Sequence, residues 1–100
     1  MANDTEWRVA VLPDGSLART KHTWNCEPMK PAQHLILAVH PDGPMLYRYA
    51  DDWQFSGDTW HENLDAALEQ VEYEFGVSCP QWRTVSEDEA KELMTQGKRK

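Results

Sequence analysis

The stretch from Gly57 to Gly76 has the start signal, the stop signal and the periodicity of one amphipathic helix. Thr59 and Glu62 form a Thr-x-x-Glu capping box, and Gly76 stands where a left-handed residue ends many helices. At about 100° per residue the apolar side chains fall within an arc of about 100°. They are Trp60, Leu64, Ala67, Leu68, Val71 and Phe75. The pattern predicts a helix of about 24 Å that buries this arc against the rest of the chain.

The remainder of the chain alternates between short apolar runs and turn signals, which is typical of antiparallel strands. The predicted strands are residues 6–12, 16–23, 34–40, 45–49 and 81–85. Pro13-Asp14-Gly15 and Pro41-Asp42-Gly43 predict the turns of two hairpins. The run from His34 to His40 is nearly all apolar, which favours a central strand buried on both faces.

A second capping box begins at Ser86 and predicts a short helix that ends near Gly97. Its inward residues are predicted to be Ala90, Leu93 and Met94. The predicted fold is α+β, with the order β-β-β-β-α-β-α. Its antiparallel sheet has two β-hairpins plus a short fifth strand, and the main helix packs on one face. The length of 100 residues indicates one domain, with residues 1–5 and 97–100 expected to be disordered.

The compartment and the cysteine chemistry are expected to be those of a cytoplasmic protein. No run of about 18 apolar residues predicts a membrane span, and the polar N-terminus lacks the pattern of a secretory signal. Cys26 and Cys79 lie far apart in the sequence and outside any Cys-x-x-Cys pair. We expect two separate thiols.

The net charge of −7 is concentrated in the central third of the chain. Residues 49–82 contain eight acids and no Lys or Arg, whereas the flanking segments are nearly balanced. This distribution disfavours direct nucleic-acid binding, which needs a basic surface. Four of the acids share the polar side of the predicted main helix, and we call them the acidic stripe. They are Glu62, Asp65, Glu69 and Glu72.

The acidic stripe is costly for an isolated helix, because its members repel each other at i,i+3 and i,i+4 spacings. One interpretation is a solvated face, or one that pairs with Arg8, Arg48 or Arg83 from the sheet. The other is a docking surface for a basic partner, which would resemble nucleic-acid phosphates or cover a basic site on an enzyme.

Motifs for metal binding and catalysis are weak. The segment from His61 to Asp65 resembles a metallopeptidase helix, but an Asp replaces the second His. His22 and Cys26 are spaced for a helix but lie in a predicted extended region, and His34 and His40 flank a strand. No catalytic residue, metal ligand or cofactor is assigned from the sequence.

The five tryptophans are predicted to divide between core and surface. Trp7 shares a core-facing side of the first strand with Val9 and Val11, and Trp60 lies in the apolar arc of the main helix. Trp24 and Trp53 lie near predicted loops, which makes them candidate anchors of an interface.

The helix region also resembles a group of small bacterial proteins whose activity is not known. The resemblance rests on Gly57-Asp58-Thr59-Trp60-His61 and on Ala67, Gln70, Glu72 and Glu74-Phe75-Gly76, followed by Trp82. It covers about a quarter of the chain and implies a bacterial or phage source. It implies no activity and no functional residue.

The favoured hypothesis is a non-enzymatic protein-binding module of inhibitor, immunity or regulatory type. It would dock a basic partner through the acidic stripe, with Trp24 and Trp53 as further contacts. One alternative is a small metal-dependent hydrolase that uses Asp58, His61 and Glu62. Another is a structural domain that dimerises through an exposed edge strand near Arg19 or Trp24.

Overall fold

A computed structural model describes residues 5–12, 23–24, 27–28, 32–76 and 81–96 of the chain. These residues form seven strands and two helices. In chain order they are β1 (Glu6–Val11), β2 (Thr23–Trp24), β3 (Glu27–Pro28), β4 (His34–Val39), β5 (Met45–Tyr49), β6 (Phe55–Trp60), α1 (Leu64–Phe75), β7 (Arg83–Val85) and α2 (Glu87–Met94).

Five of the strands form one antiparallel sheet in the order β6-β5-β4-β1-β7. The elements of this sheet and the two helices follow each other as β-β-β-β-α-β-α, so the predicted α+β class and order are confirmed. Within the described parts of the chain, β2 and β3 pair with each other and with no strand of the larger sheet. The predicted strand at 16–23 lies outside the described residues except for Thr23. The four strands of the sheet that precede α1 in the chain are β1, β4, β5 and β6, so β6 and not the 16–23 segment completes this set.

Strand β4 is the centre of the sheet, because β1 and β5 pair with its two edges. Its four middle residues, from Leu35 to Ala38, are all 0% exposed. The prediction of a central strand buried on both faces is therefore confirmed. The hairpin between β4 and β5 turns at Pro41-Asp42, where the Gly43 N–H donates to the His40 carbonyl at 3.1 Å.

Each face of the sheet has its own helix and its own apolar cluster. Helix α1 packs on one face, in a cluster of Leu12, Leu35, Leu37, Leu46, Ala67, Val71 and Phe75. Helix α2 packs on the other face, in a cluster of Trp7, Val9, Ile36, Ala38, Tyr49 and Ala90. We call these the α1 face and the α2 face. Side chains alternate between the two faces along each strand, so successive residues of β4 belong to different clusters.

Helix α2 begins as predicted. The Ser86 hydroxyl accepts from the Glu89 N–H at 3.1 Å, and Ala90 is fully buried while Leu93 and Met94 are partly buried. The end predicted at Gly97 lies outside the described residues.

The predicted start of the main helix is wrong. Residues 55–60 form β6, which pairs with β5, and the helix begins four residues later. Asn63 is its N-cap, and its side chain accepts from the Ala66 N–H at 2.8 Å. Asn caps a helix as well as Thr does, and pairing with β5 satisfies the backbone groups of the preceding segment. The predicted end is confirmed, with Gly76 at φ 70°.

Two predicted core residues are exposed instead. Trp60 is 56% exposed because it belongs to the outermost strand rather than to the helix. Val11 is exposed because the ladder between β1 and β7 ends at Val9, so Val11 extends past the shorter strand. Trp7 and Val9 are buried as predicted.

The remaining expectations are only partly covered by the described residues. Thr5, predicted to be disordered, lies with its hydroxyl 2.7 Å from His40 Nδ1. Residues 1–4, 97–100, Cys26 and Cys79 lie outside the described residues. No helix in the described part of the chain is long and apolar enough to cross a membrane.

Candidate partner-binding surfaces

The acidic stripe lies on the outside of the molecule. Helix α1 turns Ala67, Val71 and Phe75 inward, and all four stripe residues are exposed. Asp65, Glu69 and Glu72 lie on the helix as predicted, whereas Glu62 lies in the bend that precedes it. Glu62 is exposed but does not close a capping box, and the helical period no longer places it with the other three acids.

One interpretation of the sequence pairs the stripe with three arginines of the sheet. All three pair with other carboxylates instead. Arg8 pairs with Glu6 on β1, and Arg83 pairs with Glu89 on α2 at 2.8 Å. Arg48 pairs with Glu74. Among the residues that the structure describes, none of the four stripe carboxylates lies within ion-pairing distance of a Lys or Arg.

The pair between Arg48 and Glu74 is buried between β5 and α1, with both side chains 1% exposed. The Arg48 guanidinium donates to both carboxylate oxygens, with a distance of 2.9 Å from Nε to Oε1. The Gln70 amide donates to Glu74 Oε2 at 2.6 Å, one helical turn away. This pair is not among the contacts predicted from the sequence. A desolvated charge needs such partners, because unpaired it would cost several kcal/mol.

The buried pair extends to the surface through Thr59 and His61. Arg48 Nη2 donates to the Thr59 hydroxyl at 3.0 Å, and that oxygen lies 2.7 Å from His61 Nε2. Burial and the adjacent Arg48 charge lower the pKa of His61, against an opposing effect of Glu74. A neutral imidazole can accept a hydrogen bond from the Thr59 hydroxyl, so the network favours His61 without charge.

The residues of the hydrolase alternative do not converge. Asp58 lies opposite Tyr47 on the α2 face, whereas His61 contacts Thr59, which contacts Arg48 on the α1 face. Glu62 is exposed in the following bend. The described part of the chain contains no group of three or more His, Cys, Asp or Glu side chains placed to hold a metal ion.

Of the two tryptophans predicted as interface anchors, Trp53 is half-buried and the side chain of Trp24 is outside the described residues. The Trp53 ring stacks on His34 with 4.0 Å between centroids and 11° between planes. Trp53 lies in the turn that joins β5 to β6, and its backbone φ is 65°. Burial lowers the pKa of His34, against opposing effects of Asp51.

A different pair of aromatic residues is exposed, at the two ends of β6. Trp60 is 56% exposed and Phe55 is 42% exposed. The Trp60 indole lies against Gly43, where a Cβ would come within 2.6 Å of indole Nε1. This surface was not predicted from the sequence, because Trp60 was expected on the buried face of the helix. The alternation of Trp53 and Phe55 was the sequence signal that could have indicated a strand here.

Comparisons with protein-family profiles, with curated proteins and with solved structures find no match to this chain. The resemblance of residues 57–82 to small bacterial proteins therefore stays a prediction.

Proposed function

We propose that this protein is a non-enzymatic binding module that docks a basic partner protein through the acidic stripe. The observation that carries the proposal is the separation of the sheet arginines from the stripe. Arg48 is buried with Glu74, Arg8 pairs with Glu6, and Arg83 pairs with Glu89. The stripe therefore keeps its negative potential for a partner.

The energetics of α1 support the same proposal. Asp65 and Glu69 are spaced i,i+4, Glu69 and Glu72 are spaced i,i+3, and the last turn of the helix carries no basic residue. These like charges destabilise the helix, by about 0.2–0.5 kcal/mol for each pair. A single-sign surface mainly accelerates and orients the approach of an oppositely charged protein. An inhibitor, immunity or regulatory protein that covers a basic site needs that property.

Affinity capture with a charge-matched pair of variants tests the proposal. The stripe variant carries Glu62→Lys, Asp65→Lys and Glu69→Lys. The control carries the same substitution at three exposed acids outside the stripe, Asp42, Asp51 and Asp88. Each variant changes the formal net charge from −7 to −1, and circular dichroism checks that each is folded.

The wild-type chain and the control are expected to capture the same basic partner at low salt, and the stripe variant is expected to lose it. If the stripe variant retains that partner, the stripe is not the docking surface. If both variants lose it equally, the net charge is responsible and the stripe has no special role.

A further inference from the structure

The α2 face of the sheet is only partly covered. Helix α2 packs beside β1, and its buried contact is made by Ala90 against the cluster that includes Trp7 and Val9. At the opposite end of the sheet, β6 keeps Phe55 and Trp60 exposed. The end of the sheet farthest from α2 therefore presents aromatic side chains to solvent.

Phe55, Asp58 and Trp60 share this open face, and we call them the β6 platform. Their cross-strand partners are Tyr49, Tyr47 and Met45; Tyr49 belongs to the α2-face cluster, and the other two pack against it. A register shift between Tyr47 and Tyr49 places these three residues of β6 on one side despite their uneven spacing. Gly57, at φ 109°, supplies the backbone conformation of this bulge.

The platform is held in place from behind. The Trp60 indole rests on the Gly43 backbone, and Phe55 meets the Tyr49 ring edge-on with 5.7 Å between centroids. An aromatic side chain fixed in this way loses little entropy when a ligand covers it.

Strand β6 is also an edge of the sheet. It pairs with β5 on one side, and the other side has no strand partner among the described residues. An unpaired edge is a template for an added strand, whose backbone supplies affinity and whose alternate side chains supply specificity.

The charge of the platform selects the occupant. Asp58 is exposed within it, and no Lys or Arg of the described residues lies within ion-pairing distance of its carboxylate. A second copy of the chain would bring its own Asp58 and a formal charge of −7 to the same edge. An incoming strand with Lys or Arg would instead place a cation over the Trp60 ring and beside the Asp58 carboxylate, where both attract it.

We propose that the free edge of β6 accepts an extended segment of a partner protein that carries alternating Lys or Arg residues. The segment adds to the sheet as a strand and sets its cationic side chains over Trp60 and Asp58. This surface is on the opposite side of the sheet from α1, so the inference does not depend on the acidic stripe.

Nuclear magnetic resonance of the labelled full chain tests the proposal, with a ten-residue peptide of alternating Lys and Val as the probe. The largest shift changes are expected at the backbone amides of Phe55–Trp60 and at the Trp60 indole N–H. Trp60→Ala is expected to weaken binding by about tenfold, and Asp58→Lys by at least as much. Tyr73→Ala is the matched control, because Tyr73 is equally exposed, at 56%, but lies on α1; it is expected to leave affinity unchanged.

Two further peptides separate strand addition from simple charge attraction. A peptide of alternating Lys and Pro has the same charge but cannot pair as a strand, and it is expected to bind at least about tenfold more weakly. A Glu and Val peptide is expected not to bind. Equal binding of the Lys and Pro peptide, shifts confined to α1, or dimerisation of the free chain through β6 would each overturn the proposal.

Discussion

The two faces of the sheet solve the same problem of burial in different ways. On the α1 face, a twelve-residue helix covers apolar side chains and also a buried ion pair, Arg48 with Glu74. On the α2 face, an eight-residue helix covers the cluster around Trp7 and leaves Phe55 and Trp60 in contact with solvent. One face encloses charge, and the other exposes aromatic surface.

This difference separates stability from recognition within a small domain. Residues that hold the α1 face together have fixed partners, and substituting them should unfold the chain. The exposed residues of β6 and of the outer side of α1 keep much of their surface in solvent, so substituting them should alter binding with less effect on folding.

Removing Glu74 should have the largest effect on stability. Glu74→Ala leaves the Arg48 guanidinium charged and buried without its counter-ion, and we expect a loss of about 3–5 kcal/mol in the free energy of unfolding. Urea denaturation measures the loss. Glu89→Ala breaks the exposed pair with Arg83 and should cost less than about 1 kcal/mol.

The double variant Arg48→Met with Glu74→Leu distinguishes charge from packing. It removes both charges and keeps apolar volume, so it should recover most of the stability that Glu74→Ala loses. If the double variant is as unstable as the single one, the buried pair contributes through something other than its uncompensated charge.

Gly43→Ala should disturb the α2 face at the platform. Gly43 has φ 134°, and its added Cβ would lie 2.6 Å from both the His61 carbonyl oxygen and the Trp60 indole nitrogen. We expect a loss of about 1–3 kcal/mol, together with a changed environment of Trp60. Thermal unfolding and the indole resonance of Trp60 measure the two effects. An unchanged Trp60 signal in the variant would contradict the close packing of the indole on this turn.

Acid should lower the stability of the protein through one histidine on each face of the sheet. The pKa values of His34, stacked on Trp53, and His61, bonded to Thr59, are both lowered by burial from the ordinary 6.5. As the pH falls below about 6.5, the unfolded chain binds protons that the folded chain does not, so the free energy of unfolding decreases. Urea midpoints at pH 8 and pH 5.5 measure this change. His34→Gln and His61→Gln should each reduce the pH dependence of stability. An unchanged pH dependence in either variant would show that the substituted histidine does not contribute to it.

Glu69→Lys should have a small stabilising effect and a negative effect on binding. At each of two spacings, to Asp65 and to Glu72, it removes a repulsion and adds an attraction of similar size, for a gain of about 0.4–1 kcal/mol at each. Chemical denaturation measures the gain and the capture assay measures the loss. A variant that loses stability would show that Glu69 has a favourable contact on α1.

Much of the fold follows from local sequence signals. Gly76 ends α1 and Ser86 begins α2 because each cap depends on a few neighbouring backbone groups. The apolar run of β4 predicts its central place for a similarly local reason. The start of α1 does not follow, because Thr59 and Asn63 are both good caps and the choice depends on whether residues 55–60 pair with β5, which the capping signals do not report.

The candidate partner-binding surfaces are harder to predict from the sequence than the fold is. The exposure of the stripe follows from the helical period, but the state of the arginines does not, since Arg48 and Glu74 are 26 residues apart. Two signs were present in the pattern. Glu74 borders the apolar arc next to Ala67, and Arg48 shares the inward side of its strand with Leu46. Neither sign alone identifies the partner.

The proposed function requires that the acidic stripe, and not the total charge of the chain, docks a basic partner. The most direct measurement is the salt dependence of the association constant for the captured partner, compared among the wild type, the stripe variant and the charge-matched control. We predict a steep decrease with salt for the wild type and the control, and weak binding with a shallow slope for the stripe variant. Equal slopes for the two variants would contradict the claim.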